Sequence, residues 1–140
     1  MSYREAYLWG EPYNKLDENQ KEIRDKLIKA FRNYKIDLAD VKNKKLLLAS
    51  QDLPEHDESL IVQSIRKIEL RLMYLDNLIG PLVKKDKELI YYKYVEGLTH
   101  FQIMQRSTYY KSSRSVQSRA LRVIGILTLR TDPLILKDDI

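Results

Sequence analysis

Cysteine is absent from the 140 residues, which excludes disulfide staples and thiolate zinc sites and makes a reducing cytoplasm the default setting. Glycine and proline number only four each, so long helices meet few interruptions. Long apolar runs are missing too. The opening MSYREAYLWGEPYNKLDENQ has no continuous apolar stretch, and no later segment approaches about eighteen uncharged apolar residues. The expectation is a chain that carries no standard export signal, spans no membrane and works in the cytoplasm. The two histidines, His56 and His100, lie far apart and match no metal or triad spacing, and no glycine-rich phosphate loop occurs. The sequence therefore predicts no enzyme, no cofactor and no metal.

The remaining scarcity is local. After Glu96 no acid appears until Asp132, while Arg106, Lys111, Arg114, Arg119, Arg122 and Arg130 all fall between. Residues 1–83 balance 14 basic against 14 acidic side chains, residues 84–131 carry 10 basic and 3 acidic, and the tail sets Lys137 against Asp132, Asp138 and Asp139. Solvated faces usually mix both signs, so a one-signed third of the chain suits a polyanion partner.

What is present is helical periodicity, and it predicts an all-α fold. From Asp17 to about Ala49, Ile23, Leu27, Phe31, Tyr34, Leu38, Val41 and Leu48 follow spacings of three, four and seven. A polar break around Pro54 precedes a second helix from Asp57 or Glu58, whose Ile61, Ile65, Ile68, Leu72, Leu75 and Ile79 form a heptad-like stripe ended by Gly80 and Pro81. Two long helices joined by a short loop predict an antiparallel hairpin over residues 1–83. The second helix has more apolar width than one partner covers, which raises homodimerisation as a hypothesis. Tyr3, Tyr7, Trp9 and Tyr13 are expected to pack back onto the hairpin, with docking onto another protein as the alternative.

Residues 84–131 read as a trihelical helix-turn-helix unit, followed by an acidic tail over 132–140. Leu89, Ile90, Tyr94 and Val95 share one face of a helix that Gly97 ends. Thr99 and Gln102 form a capping box for a short helix carrying Ile103 and Met104. The last helix starts near Ser112 or Ser113, with Val116, Ala120, Val123 or Ile124, and Leu127 inward. Opposite that stripe, Ser112, Ser113, Arg114, Gln117 and Ser118 are expected to read bases in double-stranded DNA. Arginine can donate two bonds to guanine, glutamine pairs with adenine, and serine reaches either base or phosphate. Thr99, Arg106, Lys111, Arg119 and Arg122 are the expected phosphate contacts.

KELIYYKYVEGLTHFQIMQRS resembles the start of the fourth region of bacterial sigma factors and related helix-turn-helix regulators. Tyr94, Glu96, Gly97, Leu98, Thr99 and Ile103 match that pattern, and SRAL, Ser118 to Leu121, resembles the end of its recognition helix. Thr108 stands at the usual Gly-like turn position, and the spacing from Ile103 to Ala120 is one residue short. With the helical amino-terminal half, the chain resembles small phage regulators of late transcription in the RinA and ArpU style. The resemblance implies a promoter-binding activator that engages RNA polymerase in a bacterial host cytoplasm. A small-terminase-like DNA-packaging subunit and a structural coiled-coil adaptor stay open as alternatives.

Overall fold

The computed structural model describes residues 16–50 and 52–136. The aromatic opening segment and the end of the acidic tail lie outside the described residues, as do the expectations attached to them. Among the described residues the fold is all helical. The helices are α1 (Glu18–Arg32), α2 (Tyr34–Ser50), α3 (Glu55–Ile79), α4 (Lys84–Ile90), α5 (His100–Arg106) and α6 (Ser113–Arg130). α4 runs on into a π turn over Tyr91–Val95, and a 3-10 turn, Pro133–Leu136, follows α6.

Asp17 starts α1 with a reciprocal cap: its carboxylate accepts from the Gln20 amide at 2.8 Å, and the Gln20 side chain accepts from the Asp17 amide at 2.9 Å. The single helix expected from Asp17 to Ala49 is two helices, broken at Asn33, whose amide donates to Lys29 and whose carbonyl accepts from Asp37. The break changes which side chains go inward. Leu38 is exposed, and Asp37 is buried in its place, accepting two hydrogen bonds from Arg71 of α3 at 2.9 and 3.1 Å.

α2 and α3 pack antiparallel, since early residues of one meet late residues of the other. Tyr34 donates to Asp76, Asp37 holds Arg71, and Lys44 donates to Ser64. Val41, Ile65, Ile68 and Leu72 form the core between them. α3 begins at Glu55, directly after Pro54 and two to three residues earlier than expected; Glu55, Asp57 and Glu58 occupy its first turn, where acids complement the helix dipole.

α1 joins a different core. Its Leu27, Ala30 and Phe31 pack with Leu75 and Leu78 at the end of α3, with Ile90 and Tyr94, and with Val123, Ile124 and Leu127 of α6. That core crosses the boundary expected at residue 83, joining described residues on both sides of it. The second half of α6 is buried from Val123 through Thr128, the pattern of a central helix rather than a surface one. Its polar groups are satisfied locally: Thr128 and Thr131 donate to the carbonyls of Ile124 and Leu127, and Arg130 donates to the Leu78 carbonyl.

Candidate nucleic-acid interface

The first half of α6 packs with α4 and α5 around Leu89, Ile103, Tyr110, Val116 and Ala120. This small core sets the angle at which α6 presents its outer face. Gly97 makes the preceding connection: at φ +74° it takes the left-handed conformation that other residues pay to adopt, and the Leu98 amide then donates back to the Tyr92 carbonyl at 2.9 Å. Thr99 and Gln102 form the expected capping box at the start of α5, and Glu96 is tied to Lys35 of α2 at 2.7 Å.

Ser112 is the N-cap of α6, accepting from the Ser115 amide at 3.1 Å. Its hydroxyl is thus committed first to starting the helix, while the remaining first-turn amides leave a positive end facing outward. From there Arg114, Gln117, Ser118 and Leu121 are exposed at positions i, i+3, i+4 and i+7, one continuous face of the helix. Lys111 and Arg106 are exposed at the preceding turn and the end of α5, and Ser113 is half-buried. Leu121, 52% exposed, belongs to this face although composition alone gave it no role there.

Arg119 departs from the expected set. Its Nε and Nη2 donate to the two carboxylate oxygens of Asp86 at 2.9 and 3.0 Å, and Asp86 is completely buried. A buried carboxylate needs a charged partner, and the planar guanidinium fork supplies one in a bidentate geometry. Arg119 is therefore a clamp between α6 and α4, not one of the outward phosphate contacts. Arg122 is half-buried and has an interaction of its own within the fold. Thr99 is exposed, but its hydroxyl oxygen already serves the cap.

Tyr110, in the turn before α6, is buried in the small core with Leu89, Ile103, Val116 and Ala120, and its hydroxyl has no hydrogen-bond partner among the described residues. Burial, reinforced by the Asp86 charge, pushes its pKa up to about 12, so it stays a neutral phenol. Tyr109 beside it is exposed. No group of side chains suited to a metal ion occurs among the described residues.

No family model, curated protein or solved structure matches the chain. Any function must be read from its own surface.

A second titrating contact joins the π turn to the start of α5. Lys93 Nζ lies 2.8 Å from His100 Nε2, a contact that a charged Lys93 makes as donor to a neutral imidazole with its proton on Nδ1. Burial and then the Lys93 charge lower the His100 pKa below 6.5. A histidine whose folded pKa is depressed favours folding above its unfolded value, and that contribution is lost as pH falls through about 6.5, where the unfolded chain binds more protons. His100→Gln is expected to flatten the fall in stability between about pH 7 and pH 5. Urea melts across this range check it, and an unchanged slope would contradict the assignment.

Proposed function

We propose that this chain is a sequence-specific double-stranded DNA-binding transcriptional regulator, with the first half of α6 entering the major groove. The observation that carries this reading is the exposed face Arg114, Gln117, Ser118 and Leu121, which begins at the positive end of a helix and lies within a stretch free of acids from Gly97 to Thr131. Arginine and glutamine have the donor and acceptor patterns for guanine and adenine, and an exposed leucine can contact the thymine methyl group. Lys111, Arg106 and the first amides of α6 supply phosphate contacts around that face. Helix, turn and helix in the order α5, α6, braced by α4, fits a motif whose second helix reads base edges. The likeness of residues 84–131 to the sigma fourth region extends the proposal to a phage promoter, with late-gene activation through RNA polymerase as the outcome.

The test is a salt titration on random and selected duplexes. Log affinity should fall linearly with log salt, by about 0.9 per phosphate neutralised. A selected site should also bind tighter than random DNA by about three or more orders of magnitude. No binding at about 50 mM salt would reject the proposal, and equal affinity for all duplexes would reject its sequence-reading part.

A further inference from the structure

On the side of α3 that α2 leaves uncovered, Val62, Leu70 and Met73 are 41%, 60% and 59% exposed. Together with Ile65, Arg66 and Glu69 they line a shallow groove. Leu70 also borders the next hollow, beside Leu134 and Ile135, so the apolar surface continues sideways. Single exposed hydrophobic residues need no partner, but a contiguous strip is a different matter.

Val62, Arg66, Glu69 and Met73 step by four, three and four, which places them in one row along the helix. The order of that row is apolar, basic, acidic, apolar. Turned end for end it reads apolar, acidic, basic, apolar. Laid antiparallel on a copy of itself, the row sets Val62 against Met73 and Arg66 against Glu69, and each pairing occurs twice. A two-fold interface must be complementary to itself in this way, because the same patch forms both sides. An unrelated partner would place no such demand on the order of the row.

We propose that this face of α3 is a homodimer interface, in which α3 packs antiparallel on α3 of a second copy across a two-fold axis at the height of Lys67 and Ile68. Arg66 enters none of the ion pairs found among the described residues. Glu69 touches Lys45 at 3.5 Å with its side chain 45% exposed, which leaves carboxylate surface for a partner's guanidinium. Leu70 flanks the two charged layers and shields them from water when the copies meet. The interface is independent of any DNA contact.

Sedimentation of the full chain without DNA tests it, so its failure and that of the DNA reading are separable. The wild-type chain should show a monomer–dimer equilibrium within about 1–100 µM. Arg66→Glu and Glu69→Arg each place like charges in both layers and should weaken the dimer by about tenfold or more. Mixing the two single variants restores an opposite pair in every layer and should recover dimerisation, as should the double exchange in one chain. Met73→Glu should abolish the dimer with the circular dichroism spectrum unchanged and a urea midpoint equal to that of the wild-type chain diluted to monomer. A wild-type chain that stays monomeric, assembles beyond a dimer, or dimerises equally well with either single charge reversal overturns the proposal, as does a mixture of the two that fails to recover.

Discussion

Asp86→Ala is expected to destabilise the chain by about 3–5 kcal/mol, because it leaves the Arg119 guanidinium in a largely dry site without its counter-charge. The carboxylate is fully buried and accepts both prongs of the guanidinium at 2.9 and 3.0 Å. Removing either partner abandons the other, so Arg119→Ala should cost a similar amount. The double variant should lose far less than the sum of the two, since neither charge then stands alone. Arg119→Lys separates the roles this residue was open to. Lysine keeps the positive charge but cannot form the planar two-pronged contact, so stability should fall even though a phosphate would still find a cation. Urea denaturation of the four variants beside wild type decides the matter. An Asp86→Ala midpoint within about 1 kcal/mol of wild type would show that the pair is not what anchors α6 to α4.

The features legible in the sequence are those set by a few neighbouring residues. The cap of Thr99 and Gln102, the left-handed stop at Gly97 and the start of α6 at Ser112 all appear where local chemistry places them. The inward stripe Val116, Ala120, Val123, Leu127 is buried as its spacing implied. The break at Asn33 gave no such signal, because Leu27, Phe31 and Tyr34 keep a helical step across it and asparagine is a weak interrupter. The break falls where α1, packed with α6 and the end of α3, gives way to α2, packed along the rest of α3. The π turn at Tyr91–Val95 is equally silent, being one extra residue absorbed inside a helical pattern.

Arg119 was misplaced for a related reason. Spacing puts it on the flank of the basic face, but its partner lies 33 residues earlier and is brought up only by the packing of α4 on α6. One sign was available: Asp86 stands a helical step before Leu89 and Ile90, an acid on an apolar face, and such an acid must find a cation. The continuous run VIGIL likewise marked the second half of α6 as buried all round, hence as a central helix linked to α1.

Arg119 was expected at phosphate only, so its inward turn leaves Arg114 as the arginine of the proposed base-reading set. Arg114→Ala is expected to cost about 1–3 kcal/mol at a single base pair of the bound site, the value of one bidentate contact to guanine, and to relax preference at that position alone. Lys111→Ala, in the turn before α6, should weaken every sequence alike and reduce the salt slope by about one. The contrast follows from position. Arg114 shares the outward row with Gln117, Ser118 and Leu121, whereas Lys111 precedes the helix, where the proposed docking would set it beside the phosphates that border the groove. The measurement is selection of sites from random duplexes, followed by affinities for each single-base variant with wild-type and both substituted chains. If Arg114→Ala and Lys111→Ala lower selected and random DNA by the same factor, neither residue reads bases, and α6 binds DNA through charge alone. If only Arg114→Ala changes the selected sequence, the affected base pair fixes which way α6 lies in the groove, because a helix entering by its first turn places Arg114 nearer that base than Leu121, two turns further along.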